Sequence, residues 1–405
     1  MGLFSKMFGT KVTSDKTAVE PGEGDFIAAL SMQLRGELEP ALTAYLSIAE
    51  ELPDHTLAPF FAAAVKAGKG NTAEAAESLR LLSGQISQLG ETISRVITTE
   101  LVARLRDEPK VISIPAVAEI VVSLGDLLKG DGFVQESAVC FEIAAGLVPE
   151  HAHVLHKLGD TLHDLRIYDY AESVLLRALQ CAPNHWGTLY TYAVLLQDLG
   201  RNEEAIAYYE KAVTYDPDHV NCQNNYGAAL LRTNRLEEAL AHCTVAAGLD
   251  PASAFVKVNL GNIYLLMQEY ETARNFFAEA ISLNDKLASA YFGLGSVEQS
   301  LGSDPALVQE LYLKALEINP SICEAHHSLG NLLAADGKPE ALSHFSAAAR
   351  LNNNLKDLHA DFGNACLQLG RQEEALEHLR TALQQSPDDV MLREMVATME
   401  AEHHV

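Results

Sequence analysis

The chain has 405 residues, with 29 basic against 55 acidic side chains and a formal net charge of −26. This acidic excess argues against a nucleic-acid-binding protein, because the phosphates would be repelled. Apolar residues make up 48% of the chain, which is enough to bury a core. No run of about 18 apolar residues is present, so no membrane-spanning helix is expected. No secretory signal is expected either. The six scattered cysteines are typical of reduced thiols in a cytoplasm.

Residues 1–21 are predicted to form a flexible or amphipathic N-terminal tail. The first nine residues are apolar apart from Ser5 and Lys6, so they form a candidate weak anchor on an anionic membrane or a docking segment for a partner. A disordered start is the alternative. The myristoylation pattern is not met, because Lys6 stands where serine or threonine is required.

The segment 22–106 is predicted to be helical and to contain divergent copies of a repeat. Gly36 and Ala41 recur 34 residues later as Gly70 and Ala75. A last helix of this segment is expected over residues 91–106, where apolar residues follow one another at four-residue spacing. Residues 107–117, which contain two prolines, are then interpreted as a linker; a longer loop inside one continuous array is the alternative.

A 34-residue period is plain from residue 118 onward, and it defines eight units. The units run over residues 118–151, 152–185, 186–219, 220–253, 254–287, 288–322, 323–355 and 356–389. A proline closes six of them, at Pro149, Pro183, Pro217, Pro251, Pro320 and Pro387. Each unit is predicted to contain two amphipathic helices, and residues 390–405 are predicted to form a helix that caps the last unit.

Small residues recur at fixed places in these units. Position 8 is always small, as Gly125, Gly159, Ala193, Gly227, Gly261, Gly295, Gly330 and Gly363. Position 27 is alanine in every unit, and position 20 is alanine in six of the eight. Glycine inside a helix costs about 1 kcal/mol relative to alanine, so a glycine held at one phase indicates a close helix–helix contact.

These positions resemble the tetratricopeptide repeat family over residues 118–389. The resemblance implies an all-α fold, a right-handed solenoid of helix-turn-helix units. It also implies that the first helix of each unit lines a concave groove, while the second helices form the convex back. Stability would then come from the packing of each unit on its neighbours.

Positions 2, 5, 9 and 12 of the first helices share one helix face, and they are expected to line that groove. The candidate partner-binding residues are His153, His156, Asp160, His163, Tyr190, Asn221, Asn224, Phe255, Asn262, Phe292, His327, Asn331 and Asn364. Amides can both donate to and accept from a peptide backbone, and aromatic rings supply burial. Solvation of an ordinary surface is the alternative role for the asparagines.

The first four of these residues also form the candidate for metal chemistry. His153, His156, Asp160 and His163 follow one another at spacings of three and four residues, which suits a zinc site, whereas a hydrated groove wall is the competing interpretation. No phosphate loop, nucleotide-binding glycine motif or Cys-x-x-Cys pair accompanies them. We therefore predict no catalytic residues, no bound metal and no cofactor.

Two subclasses of the family can be compared with these residues. The Asn-Leu-Gly-Asn of residues 259–262 and the Ser-Leu-Gly-Asn of 328–331 resemble units of the O-GlcNAc transferase superhelix, although no glycosyltransferase domain accompanies them. Repeats that clamp the C-terminal carboxylate of chaperones use basic residues on the first helices. Lys129, Lys157 and Arg232 are too scattered to form such a clamp.

The sequence thus predicts a non-enzymatic, cytoplasmic, bacterial scaffold that binds a partner protein or an extended peptide. A basic partner would be favoured by the net charge and by groove acids such as Asp160, Glu324 and Asp357. Three alternatives stay open: self-assembly into homo-oligomers, an accessory subunit of an enzyme with a metal-binding histidine cluster, and peripheral attachment to the inner face of a membrane through residues 1–9.

Overall fold

The computed structural model describes residues 23–52, 55, 57–81 and 114–403. The predicted tail of 1–21, the predicted helix of 91–106 and most of the predicted linker of 107–117 lie outside these residues. The chain divides into an N-terminal body, residues 1–217, and a C-terminal body, residues 218–405. In the part that is described, no helix is both long and apolar enough to span a bilayer.

The described residues form 21 α-helices and no strand, so the predicted all-α repeat architecture is confirmed. In the N-terminal body the helices are α1 (Glu23–Leu34), α2 (Leu38–Glu51), α3 (Leu57–Gly68), α4 (Thr72–Leu81), α5 (Ile114–Gly130), α6 (Val134–Leu147), α7 (Ala152–Asp164), α8 (Tyr168–Cys181), α9 (Trp186–Asp198) and α10 (Asn202–Tyr215). In the C-terminal body they are α11 (Val220–Arg232), α12 (Leu236–Leu249), α13 (Ala254–Leu266), α14 (Tyr270–Leu283), α15 (Ala288–Ser300), α16 (Pro305–Ile318), α17 (Cys323–Ala335), α18 (Ala341–Leu351), α19 (Leu358–Gln368), α20 (Gln372–Gln385) and α21 (Val390–His403).

The turn inside each helix pair depends on one residue with a left-handed backbone. At Gly200, φ is 77°, and the same place in the pairs α1–α2 and α3–α4 is occupied by Gly36 and Gly70, also with positive φ. The N–H of Arg201 donates to the carbonyl of Leu196 at 2.8 Å, which closes the first helix as a Schellman-type C-cap. Glycine suits this place because it has no Cβ to clash in the left-handed region.

The two helices of each pair approach closely because position 8 carries little or no side chain. A Cβ added to Gly261 would lie 2.8 Å from the ring of Phe277, which belongs to the second helix of the same pair. Gly125 meets Phe141 and Gly330 meets Phe345 in the same way. The large residue of the second helix therefore fills the space that the glycine leaves open, and the close helix–helix contact predicted at position 8 is present.

The other fixed small positions are equally buried. Position 27 is an alanine whose side chain is at most 5% exposed in all eight units, and position 20 is at most 1% exposed. Successive pairs then pack on one another: Phe277 also contacts the first helix of the next pair, where Gly293 leaves room for its ring. The core is thus a continuous stack of helix pairs within each body.

Two helix starts differ from the sequence-based boundaries. Helix α5 begins at Ile114, so residues 114–117 are helical, although the sequence placed them in the linker. Pro115 is accommodated there because the first turn of a helix needs no backbone N–H donor. Helix α19 begins only at Leu358, because Asp357 has a left-handed backbone with φ of 62°.

Helix α21 packs against the last helix pair. Its Val396 is buried together with Leu376 and Leu379 of α20. The opposite face of α21 exposes Met391, Arg393, Glu394 and Thr398 to solvent. Helix α21 thus covers apolar side chains of α20.

We predict that Gly261→Ala destabilises the protein by about 1–3 kcal/mol. The new methyl group would collide with the ring of Phe277, which is fully buried and cannot withdraw. Urea unfolding followed by circular dichroism measures this change.

The matched control is Gly248→Ala in α12, where a Cβ would meet no atom within 4 Å. Alanine has the higher helix propensity, so this control should be stabilised by a few tenths to about 1 kcal/mol. Equal stability of the Gly261→Ala variant and the wild type would show that the close approach is not required.

Candidate functional site

The first helices of successive pairs lie side by side in each body. Helix α9 contacts α7, and in the C-terminal body α11 contacts α13, α13 contacts α15 and α17 contacts α19. In each body, their positions 2, 5, 9 and 12 form a surface that we call the first-helix row. The thirteen candidate binding residues lie at these positions. The row contains both solvent-exposed side chains and side chains that bond one first helix to the next.

In the N-terminal body, ion pairs link the first helices. Lys129 of α5 lies 2.5 Å from Asp160 and 2.8 Å from Asp164, both of α7. Lys157 of α7 lies 2.6 Å from Asp126 of α5. The charge of Asp160, a predicted binding residue, is therefore already paired inside the protein.

The predicted histidine cluster does not converge on one point. Nε2 of His163 lies 2.9 Å from a carboxylate oxygen of Asp198 on α9, while Asp160 turns to Lys129 on α5. The ring of His156 lies 5.3 Å from that of His185, and burial lowers the pKa of His156 to about 4, which keeps it neutral. Among the described residues, no three histidine, cysteine or carboxylate side chains are arranged to hold a metal ion.

His185 itself has a structural role at the start of α9. Its Nδ1 accepts from the backbone N–H of Thr188 at 3.2 Å, so the imidazole acts as an N-cap. His219 caps α11 in the same way, by accepting from Cys222 at 3.1 Å. Because an accepting Nδ1 carries no proton, a metal ion at Nε2 would disturb the tautomer that the cap requires.

In the C-terminal body, amide and imidazole groups link the first helices. Nδ2 of Asn259 on α13 donates to Oδ1 of Asn224 on α11 at 2.9 Å. Asn224 is only 8% exposed, so most of this predicted binding residue is buried at the joint between repeats. Asn221, one turn earlier on the same helix, is exposed.

A second polar joint links α17 and α19. Asp361 of α19 accepts from Nε2 of His327 at 2.7 Å and from Nδ2 of Asn331 at 2.9 Å. Burial alone would raise the pKa of the Asp361 carboxyl, but these two bonds lower it below its usual value. Two more candidate binding residues, His327 and Asn331, therefore bind a neighbouring helix.

Asp361 is a residue that the sequence analysis did not select. It stands at position 6, which is one helical turn after position 2 and therefore belongs to the same face. The sequence signal was present: position 6 also carries Lys157 and Asn259, and each of them bonds across to the preceding first helix.

The remaining candidates differ in how far their side chains are exposed. Phe255 is 62% exposed, which makes it the most exposed aromatic side chain of the described residues. Asn364 and His153 are also exposed, and Asn262 is half-buried. Phe292 and Tyr190 are half-buried against aromatic rings of the second helices, Tyr312 and Tyr209, at centroid distances of 5.8 and 6.2 Å.

Comparison with known families agrees with this architecture. Family models described as "Tetratricopeptide repeat" match residues 190–254, 256–287, 311–341 and 357–389. "Tetratricopeptide repeat protein 6" of Homo sapiens is 36% identical over 122 residues, which are 29% of this chain and 23% of the human protein. The match therefore spans about a quarter of that relative.

Similar solved structures include two that are described as tetratricopeptide repeat proteins. YrrB, described as "a TPR protein with an unusual peptide-binding site", is 28% identical, with 46% of this chain and 96% of YrrB covered and a TM-score of 0.35. A tetratricopeptide repeat protein from Parabacteroides merdae is 17% identical, with coverages of 62% and 98% and a TM-score of 0.48. Yeast Tom70 is 14% identical, with coverages of 94% and 89% and a TM-score of 0.48.

We predict that Asn224→Ala lowers the free energy of unfolding by about 0.5–1.5 kcal/mol, because the amide of Asn259 loses its acceptor at a buried joint. Urea unfolding measures the loss. Asn221→Ala on the same helix is the matched control, and as an exposed substitution it should stay within about 0.5 kcal/mol of the wild type. If the two variants are equally stable, Asn224 is a surface residue in solution.

Proposed function

We propose that this chain, whose repeats are tetratricopeptide repeats, is a non-enzymatic scaffold that holds an extended segment of a partner protein along its first-helix row. The observation that carries this proposal is Phe255 in the C-terminal body. It is a 62% exposed aromatic ring on a row to which the same repeat also contributes Asn262 and the preceding repeat contributes Asn221.

The chemistry of these residues favours a peptide as the ligand. An amide side chain offers both an N–H donor and a carbonyl acceptor, which match the two hydrogen-bonding groups of an extended backbone. The ring of Phe255 would contribute burial at a small cost in side-chain entropy. Side chains of the peptide that pack on Phe255 should therefore be apolar.

Several polar groups of the row are already bonded within the protein, which reduces the number of side chains that a ligand can contact. Asp160, Asn224 and Asn331 already bond to neighbouring helices, so their use by a ligand would require those bonds to break. Phe255 and Asn364 have no such requirement among the interactions described for them. We therefore place the main contacts on the exposed members of the row in the C-terminal body.

The charge of the chain supports a basic or neutral partner. The net charge is −26, and the exposed acids Glu324 and Asp357 stand at position 2 of their repeats. Asp357 precedes α19 and is not part of the helix, so its carboxylate lies at the edge of the row. A field of this sign accelerates the approach of cationic peptides.

The test is a selection of peptides from a random library displayed on phage, with the full chain as the target. We predict that peptides selected on the wild type bind the Phe255→Ala/Asn262→Ala variant at least tenfold more weakly. Burial of an aromatic side chain contributes about 1.5–3 kcal/mol, and 1.4 kcal/mol is a factor of ten.

The matched control is Leu283→Ala, which removes an exposed apolar side chain from the second helix α14. Peptides bound along the first helices should not distinguish this variant from the wild type. If the selected peptides bind the Phe255→Ala/Asn262→Ala variant as tightly as the wild type, the proposed site is wrong.

We also predict that association of a selected basic peptide slows as salt rises, while its dissociation changes less. Salt screens exposed charges with a Debye length of about 8 Å at physiological ionic strength. The Glu324→Gln/Asp357→Asn variant should show a smaller salt dependence of the on-rate in stopped-flow measurements. An on-rate that is independent of salt would exclude electrostatic attraction as part of the recognition.

A further inference from the structure

Two histidine pairs occupy equivalent places in the last two repeats. In residues 323–355, Nδ1 of His326 on α17 lies 3.1 Å from Nδ1 of His344 on α18. In residues 356–389, Nδ1 of His359 on α19 lies 3.1 Å from Nδ1 of His378 on α20. Each pair joins the two helices of one repeat, and neither belongs to the first-helix row.

In each pair, the protonation state is determined by what Nε2 of the first histidine, His326 or His359, contacts. Nε2 of His326 lies 3.2 Å from the carbonyl oxygen of Pro320, and Nε2 of His359 lies 3.1 Å from that of Asn353. A carbonyl oxygen can only accept, so Nε2 carries the proton and Nδ1 of the neutral ring is the acceptor. The second histidine of each pair, His344 or His378, then donates its Nδ1–H.

In this arrangement, the two facing Nδ1 atoms of a pair share one proton. Protonation of Nδ1 on His326 or His359 would place two N–H groups opposite each other across 3.1 Å. If the second ring also gained a proton at Nε2, two like charges would lie in contact. A fully protonated pair is therefore incompatible with the closed helix pair.

In a third repeat, the same two positions form a contact between the two helices with an amide in place of one imidazole. We call this contact a joint. In residues 220–253, Nδ1 of His242 donates to Oε1 of Gln223 at 2.7 Å. The amide oxygen does not gain a proton at moderately acid pH, and His242 can take its second proton on Nε2 while Nδ1–H still donates. Burial lowers the pKa of His242 as it does that of His344, but no neighbouring imidazole adds a like-charge conflict in this repeat.

We propose that the two histidine pairs make residues 323–389 an acid-sensitive segment, whose helix pairs open below about pH 6 while the Gln223–His242 joint stays closed. The proposal concerns the stability of these repeats and does not depend on the ligand of the first-helix row.

Among the described residues, no carboxylate raises the pKa of His344 in the first pair. On α17, Glu324 accepts from the thiol of Cys323, and His327 bonds to Asp361 of α19. On α16, which packs against α17, Glu317 is paired with Lys314. Burial lowers the pKa of His344, and the neighbouring His326 lowers it further.

The second pair has acidic neighbours, but they do not reverse the lowering of the pKa of His378. Burial and His359 lower the pKa of His378, although Glu374 and Glu377 of α20 oppose this effect. Glu374 is paired with Arg371, and on α21 Glu400 is paired with Arg380. The ring of His378 is stacked on Phe362 at 3.8 Å, which adds to its desolvation. Burial also lowers the pKa of His359.

The sign of the pH dependence follows from proton counting. In the unfolded chain each histidine binds a proton near its reference pKa of about 6.5. The closed pair binds at least one proton fewer, so acid favours the open state. Stability is unaffected well above pH 6.5. It falls as the pH drops from the unfolded pKa towards the lower folded pKa values of His344, His359 and His378.

The experiment compares the full chain with its His326→Gln/His359→Gln variant, which installs in both repeats the joint that residues 220–253 already contain. Hydrogen exchange read by mass spectrometry reports the opening constant of α17–α20, corrected for the intrinsic exchange rate at each pH. Between pH 6 and pH 5 the opening constant of each repeat should rise about tenfold more in the wild type than in the variant, since each pair excludes about one further proton.

The converse variant, Gln223→His, should make the repeat of residues 220–253 acid-sensitive, with α11 and α12 opening between pH 6 and pH 5. This variant decides the question if the double variant fails to fold at pH 7.5. The proposal is overturned if the Gln-substituted and wild-type chains have the same pH dependence of opening, or if Gln223→His leaves the acid stability of α11 and α12 unchanged.

Discussion

The close approach of the two helices in each repeat is the constraint on which the rest of the structure depends. It requires a small residue at position 8, and at Gly261 it requires glycine, because a Cβ there would lie 2.8 Å from the ring of Phe277. The ring in turn fills the space between Gly261 and Gly293 of the next repeat. One large residue therefore joins a repeat internally and to its neighbour, which sets the spacing of the first helices.

That spacing brings polar side chains of successive first helices within bonding distance. The ion pair of Lys129 with Asp160 and the amide bond of Asn259 with Asn224 both arise in this way. The same face is the proposed ligand surface, so its polar groups divide into those that bond the stack together and those that stay exposed. Fewer side chains of the row are therefore exposed to a ligand than their positions in the repeat predict.

Repeats that share one backbone can still differ in the chemistry of their joints. The place that joins the two helices of a repeat contains Gln223 and His242 in one repeat but two imidazoles, His326 and His344, in another. The packing of small residues on large ones is insensitive to pH, whereas these polar joints are not. Because each repeat depends mainly on its neighbours, stability can change locally along the array.

The sequence by itself determined the architecture, because the 34-residue period, the small residues and the turn glycines act locally and recur. It also identified the helix face that contains Phe255. It could not determine which side chains meet, since Lys129 and Asp160, or His327 and Asp361, come from helices 31 and 34 residues apart along the chain. Their pairing depends on how one repeat is placed on the next, and so does the burial of Asn224. The local sequence pattern likewise misplaced the start of α5. A proline in the interior of a helix ends it, but Pro115 lies in the first turn, where proline is tolerated.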